Sequence, residues 1–307
     1  MQQPIVLWQI HDDKPGHLNQ LRGLTDALAE LLPLQVDRLP APSRRSSLAA
    51  LWSKKIAPGE RLPAPQLILG AGHSTHLAML AVRRAYGGRT IVLMKPSLPA
   101  RLFDLCLVPE HDHRVESDRV VVTRGVLNVI RPSPAHDEQS GLLLIGGPSA
   151  AHGWSEQRVL EQITAVTTTR PDIGWQLTDS RRTPATLLTR LAALKIANLR
   201  IVPHQDTAAD WVPLQLAKAS QVWVSEDSVS MVYESLTSGA AVGLLEVPSI
   251  RRGRVAAGVA ALVRNGWVTH FGDWQPGCRL APPPQQLDEA RRCAQIVCQR
   301  MRFRSAA

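Results

Sequence analysis

The sequence predicts an α/β protein of two Rossmann-like domains. Three observations carry this. Short apolar runs alternate with helical patterns, one polar Pro-containing stretch interrupts them, and the same alternation then restarts. Alternation of strand and helix implies parallel sheets with helices on both faces. Two such domains joined by one linker are expected to face each other across a cleft.

In the first half, Ile5–Ile10, Leu34–Leu39, Leu67–Gly70, Thr90–Met94, Leu105–Val108 and Val120–Thr123 read as strands. Between the first two, Leu18, Leu21, Leu24, Leu28 and Leu31 recur at helical spacing. The stretch "RPSPAHDEQSG", Arg131 to Gly141, is the linker candidate. Beyond it Leu142–Ile145, Gly174–Thr178, Leu199–Val202, Val222–Ser225 and Ala241–Leu245 are short strands, separated by helical stretches near 156–169, 185–195, 213–219, 229–238 and 255–265. The expected domains are 1–132 and 141–307, with the last helix free to pack back on the first domain.

Composition bounds the function. A chain of 307 residues with 44% hydrophobic and 20% charged residues is long enough for two cores and reads as globular. No apolar run reaches the roughly 18 residues a membrane span needs. The opening "MQQPIVLWQI" lacks a basic region and reads as a first strand, not a signal peptide. Cys106, Cys278, Cys293 and Cys298 form no CxxC pair, which suits reduced thiols in a cytoplasm.

The formal charge of +9 gathers at Arg44-Arg45, Lys54-Lys55, Arg251-Arg252 with Arg254, and Arg291 through Arg304. Aromatics are only 4% of the chain and never alternate with basic residues, so nucleic acid is not expected. An anionic membrane surface or a phosphorylated small substrate explains the charge equally well.

In parallel sheets ligands gather at the carboxyl ends of the strands. After the first strand, "HDDKPGHLNQLRGL" turns at Pro15-Gly16 and opens a helix near His17, with first-turn amides available to an anion or a hydroxyl. Gly16, His17, Asn19 and Gln20 stand where a ligand would meet that end; a turn with polar caps is the plain alternative. "GAGHSTH" is not GxGxxG, because Thr75 stands in place of the last glycine, but His73 lies near the start of a helix. In "PEHDHRVESD", Glu110, His111, Asp112 and His113 could crowd a metal. Adjacent loop residues rarely all point inward, however, and no second cluster with zinc-like spacing appears, so no metal is expected. His111 and Asp112 remain acceptor-side candidates.

In the second half, Gly146-Gly147-Pro148-Ser149 suits close approach of backbone to a phosphate. "SRRT", Ser180, Arg181, Arg182 and Thr183, gathers two guanidinium groups and two hydroxyls, fit for a pyrophosphate or for a solvated capping turn. Asp227, Ser228 and Ser230 sit at a strand-to-helix turn, where hydroxyls and free amides can hold phosphate oxygens. Glu234, seven residues beyond Asp227, is expected on the same helix face, where its carboxylate can accept from a ribose diol.

Five motifs, "GHLNQLRGL", "EHD", "GGPSAAHGW", "SRRTP" and "SEDSVSMVYES", occur in the same order as in the mitochondrial-fission "elongated mitochondria" family, which this chain resembles over nearly its whole length. More broadly it resembles GT-B glycosyltransferases, notably the enzyme that adds N-acetylglucosamine to the lipid-linked peptidoglycan precursor. Gly16-His17, Gly146-Gly147 and the Glu234–Gly239 spacing match that family's first loop, second-domain turn and ribose-binding Glu. Ala241 replaces its usual Pro, and Asp12-Asp13-Lys14-Pro15 replaces its multi-glycine loop.

The resemblance implies a GT-B-like, metal-independent glycosyltransferase. It would use a nucleotide-diphosphate sugar, UDP-linked by preference, with no other cofactor, and an acceptor that includes lipid-linked or envelope glycans. Helix dipoles and basic groups would stabilise the departing diphosphate. The expected base is His17, with Asp13 second. A scaffold protein that keeps the fold without the chemistry is the alternative. An epimerase or dehydrogenase is disfavoured by the missing dinucleotide fingerprint. Finally, "RRSSLAALWSKK", Arg44 to Lys55, reads either as an apolar stripe docking on the inner face of the cytoplasmic membrane or as a helix with its apolar face packed inward.

Overall fold

The computed structural model describes residues 3–54, 61–250 and 254–303, with the side chains of 254–256 excepted. Lys55, Arg251, Arg252 and Arg304, counted above among the basic clusters, lie outside the described residues. The chain divides into two compact units, one of Met1–Val129 with Glu289–Ala307 and one of Ile130–Asp288.

In the first unit β1 (Ile5–His11), α1 (Pro15–Ala29), β2 (Leu34–Pro40), α2 (Arg44–Ser53), β3 (Leu67–Ala71), α3 (His76–Tyr86), β4 (Arg89–Leu93), β5 (Leu105–Pro109) and β6 (Val120–Thr123) follow in order. The strands form a six-stranded sheet, β2-β1-β3-β4-β5-β6, with every pairing parallel. Period-two alternation sends side chains to two cores. Leu7, Leu67, Leu69, Leu105 and Leu107 pack with Leu21, Leu24 and Leu28 of α1 on one face. Trp8, Ile10, Ile68, Cys106 and Val108 pack with Met79 and Val82 of α3 on the other. Burial of both faces explains why the strands read as continuous apolar runs.

The C-terminal helix α9 (Glu289–Met301) belongs to this first unit and not to the second, which ends at Asp288. Ala290, Cys293, Ala294, Val297 and Met301 recur at helical spacing and bury themselves in the α1 core. Burial pushes the Cys293 thiol up to about 12 and the Cys106 thiol up to about 11, so both stay protonated; Cys278 is exposed.

In the second unit β7 (Asp137–Leu144), α4 (Glu156–Thr168), β8 (Gly174–Thr178), α5 (Ala185–Ala193), β9 (Leu199–Ile201), α6 (Trp211–Lys218), β10 (Ala219–Ser225), α7 (Val229–Ser238), β11 (Ala241–Leu245), α8 (Arg254–Arg264) and β12 (Thr269–His270) alternate strictly. Their sheet runs β12-β11-β10-β7-β8-β9, again with every pairing parallel.

Local departures from the sequence reading have physical causes. Asp137–Gly141 are strand and not linker; Asp137, Glu138 and Gln139 are exposed, so β7 starts polar. The first helix opens at Pro15 and not at His17, because Pro suits the first helical position. The helix after β3 starts at His76, leaving His73 in the turn. Two-residue β12 has no periodicity to find. Among the described residues, no helix is long and apolar enough to cross a membrane.

Candidate functional site

Each sheet has a switch point, where the chain leaves one strand to opposite sides and the following loops diverge to form a crevice. In the second unit it lies between β7 and β10. Gly146 and Gly147 follow β7 there. The Gly146 N–H donates to Ser225 Oγ at 2.7 Å and the Gly147 N–H to Asp227 Oδ2 at 3.1 Å. A Cβ on Gly146 would lie 2.3 Å from Asp227 Oδ2, and one on Gly147 would lie 2.2 Å from the Arg182 carbonyl oxygen. The glycines are therefore demanded by the protein's own carboxylate and backbone.

Arg182 completes this lock. Its Nη2 lies 2.7 Å from Asp227 Oδ2 and its Nη1 donates to the Gly147 carbonyl at 2.6 Å. The Asp227 side chain is fully buried, so its charge needs that partner. Thr183 Oγ1 donates to the carbonyls of Ile145 and Gly146 and accepts from the Ser180 N–H; Ser180 Oγ accepts from the Arg182 N–H at 3.3 Å. Ser149 Oγ accepts from the N–H groups of Ala151 and His152. Ser180, Arg182, Thr183 and Ser149 are thus spent shaping the loops, while the neighbouring Arg181 is exposed.

Asp227 precedes α7 and turns toward β7, so the expected shared helix face with Glu234 does not exist. Glu234 is half-buried on α7. Ser228 is the N-cap residue of α7 but makes no side-chain cap bond, and Ser230 is exposed in its first turn. The Ser228 side chain thus leaves the first-turn amides of α7 uncapped, beside Gly146-Gly147 at the switch point. Such an arrangement suits an anion.

In the first unit the switch point lies between β1 and β3. Asp12, absent from the sequence candidates, organises it. Its Oδ1 lies 2.8 Å from His17 Nδ1, its Oδ2 accepts from Ser74 Oγ at 2.9 Å, and Lys14 Nζ is 3.3 Å away. Burial raises the Asp12 pKa, but hydrogen bonds from His17, Ser74 and Lys14 and the His17 charge outweigh it and hold it at about 2. Gly72 is at φ +86°, and a Cβ there would lie 2.4 Å from His17 Cε1, so the glycine makes room for the imidazole. With Nδ1 tied to Asp12, Nε2 is the nitrogen left to exchange a proton.

A cavity of about 810 Å³ opens beside this group, lined among others by His11, Asp12, Asp13, Arg44, His73 and His76. Asp13, at φ 58°, is largely exposed, with Oδ1 2.9 Å from His11 Nδ1 but out of hydrogen-bond alignment. His17 is held by Asp12 and is not among the cavity's lining residues. Gly16 is exposed, Asn19 is half-buried, and Gln20 is buried with Nε2 3.4 Å from Met94 Sδ; none of the three lines the cavity. His111 and Asp112 follow β5, separated from β3 by β4, and are not among the cavity's lining residues.

His76, like Asp12, lines the cavity and was not among the sequence candidates, although it closes the "GAGHSTH" stretch. The Ser97 N–H donates to its Nδ1 at 3.3 Å, which leaves the proton on Nε2. Burial, then the nearby His73, lowers its pKa to about 4, so it is neutral near pH 7.

Known proteins share this architecture. The family model described as Mitochondrial fission ELM1 matches residues 15–301. A search of curated proteins found no match. Among solved structures, the chain resembles UDP-GlcNAc 2-epimerase from Neisseria meningitidis bound to UDP-GlcNAc, with a TM-score of 0.52 and 11% identity over 96% of this chain and 99% of that one. A putative UDP-N-acetylglucosamine 2-epimerase from Listeria monocytogenes gives 0.56 at 12% identity over 87% and 84%. A further UDP-N-acetylglucosamine 2-epimerase gives 0.56 at 12% over 97% and 96%. At these identities the likeness establishes a GT-B-like α/β fold.

Proposed function

Because the chain belongs to the mitochondrial fission ELM1 family and has a GT-B-like fold, we propose that it transfers a sugar from a nucleoside-diphosphate donor to an acceptor hydroxyl. The observation that carries this reading is the α7 N-terminus, open beside Gly146-Gly147 at the switch point of the second unit. First-turn amides of α7, the Ser228 and Ser230 hydroxyls and Arg181 hold the diphosphate; Glu234 accepts from the ribose diol. The Arg182–Asp227 lock keeps the cradle in shape without touching the ligand. Three solved proteins that share the fold are named for UDP-N-acetylglucosamine chemistry, which favours a UDP-linked donor.

In the reaction the acceptor hydroxyl gives its proton to His17 Nε2. Its oxygen forms the new bond to the sugar's anomeric carbon, and UDP departs with the electron pair of the broken C–O bond. Asp12 orients the imidazole through Nδ1 and stabilises its protonated form. UDP release from UDP-N-acetylglucosamine, measured with and without a lipid-linked acceptor, tests this. Acceptor-dependent release supports transfer. An acceptor-independent 2-epimer would replace transfer with epimerisation, which the names of the similar proteins keep in view. Binding without turnover would leave a scaffold.

The acceptor side has its own expectation. Ser47 and Ala50 of α2 are buried, but Leu48 is 45% and Trp52 90% exposed. Arg44, Leu48 and Trp52 recur every four residues on one face, and Arg44 also lines the cavity. We propose that α2 docks on an anionic leaflet and that the acceptor is lipid-linked. The chain should co-sediment with anionic but not neutral vesicles. Trp52→Ala with Lys54→Glu should weaken this roughly tenfold or more, since each Lys or Arg contributes about 1 kcal/mol near the surface. No sedimentation at low salt would refute it.

A further inference from the structure

β10, β11 and β12 end side by side, and each contributes an ionisable group. Glu226 follows β10, Glu246 follows β11, and His270 ends β12. His270 Nδ1 lies 3.3 Å from Glu246 Oε1 and its Nε2 3.7 Å from Glu226 Oε2. Glu226 Oε1 accepts from the Val247 N–H at 3.0 Å, so the carboxylate is held from two sides. Against it opens a cavity of about 350 Å³, lined also by His152, Arg264 and Asp273.

His152 points to a ligand independently of this cluster. It lies in the loop after β7, only 4% exposed, with its N–H held by Ser149 Oγ at 3.1 Å. Its Nδ1 is buried and, among the described residues, has no hydrogen-bond partner. A buried polar atom left unmatched is costly, and a ligand group at the cavity would relieve it.

The chemistry of the walls selects the ligand. Two carboxylates face the space with one guanidinium and two imidazoles, so an anion would meet opposed charge. A polyhydroxylated ring suits both signs, because each hydroxyl can donate to Glu226 or Asp273 and accept from a ring nitrogen or from Arg264. The volume is near the lower end of the roughly 300–1,000 Å³ typical of ligand pockets, room for one ring and little more. Glu226 immediately precedes Asp227, so the cavity adjoins the Gly146-Gly147 cradle. We propose that this cavity holds the sugar ring of the donor, with Glu226 and His152 as its principal hydrogen-bonding groups and His270 positioning Glu226. The proposal rests on the nucleotide-sugar reading of the same unit.

Calorimetric titration of UDP, UDP-glucose, UDP-galactose and UDP-N-acetylglucosamine into the full chain tests it. Wild type should discriminate among these ligands. His152→Ala and Glu226→Gln should each weaken the preferred UDP-sugar at least tenfold while changing UDP affinity less than twofold. Asp273→Asn, at an exposed rim position, should also weaken the preferred UDP-sugar while leaving UDP affinity unchanged. If the variants leave UDP-sugar affinity unchanged, or weaken UDP equally, the cavity is not the sugar site although the nucleotide site stands. Equal binding of UDP and all its sugars by wild type would overturn the sugar site in the same way. If wild type binds none of the four, the nucleotide reading falls and this inference falls with it.

Discussion

His17→Ala is expected to lower sugar transfer by roughly 10²–10⁴-fold while leaving UDP affinity unchanged. The base proposed here acts on the acceptor proton, whereas the groups proposed to hold the diphosphate belong to the other unit. Asp12→Asn should reproduce much of the loss, because an amide can hold the imidazole in the wrong tautomer and cannot stabilise its protonated form. The Asp12 pKa in the folded chain, about 2, lies below its ordinary 3.8. Its contribution to stability is therefore present above about pH 3.8 and is lost as pH falls toward 2. At neutral pH Asp12 is therefore ionised and holds the His17 imidazole through Nδ1. Full activity in His17→Ala would move the base to Asp13, which lines the 810 Å³ cavity.

Asp227→Ala should destabilise the second unit by about 2–3 kcal/mol and weaken UDP at least tenfold. It removes the acceptor for the Gly147 N–H and for Arg182 Nη2. Arg182 is 39% exposed, so water reclaims part of its charge and the cost stays below that of a wholly buried pair. Gly146→Ala should also destabilise, by about 1–3 kcal/mol from overpacking, because its Cβ would meet the Asp227 carboxylate at 2.3 Å. In the Asp227→Ala background that methyl has room, so the two losses should be less than additive. Denaturant unfolding of the three variants measures this, and simple additivity would show that the glycine is needed for another reason.

The strands were legible because both faces of each sheet are covered, making Leu67–Ala71 and Ala241–Leu245 unbroken apolar runs. The start of β7 was not, since its first three residues are exposed and polar. The five motifs pointed to a family that the match over residues 15–301 establishes. Within the site, sequence located the loops but not their inward and outward faces. Arg181 and Arg182 are adjacent in the chain, yet Arg182 closes onto a carboxylate 45 residues away while Arg181 is exposed. Asp12 looked like a missing glycine and is the hub of the His17 pair. His76 and His152 gave no spacing signal, because the elements that bury them come from distant parts of the chain.

A thermal melt of the full chain with added UDP measures directly whether the second unit binds a nucleoside diphosphate. Ligand at 100 times its dissociation constant adds about 2.7 kcal/mol, a shift of several degrees for a unit of this size. Glu234→Ala should abolish most of that shift at the same UDP concentration, since losing a charged acceptor costs about 1.5–3 kcal/mol. A melting temperature that UDP, ADP, GDP, CDP and dTDP all leave unchanged would show that the second unit binds no nucleoside diphosphate.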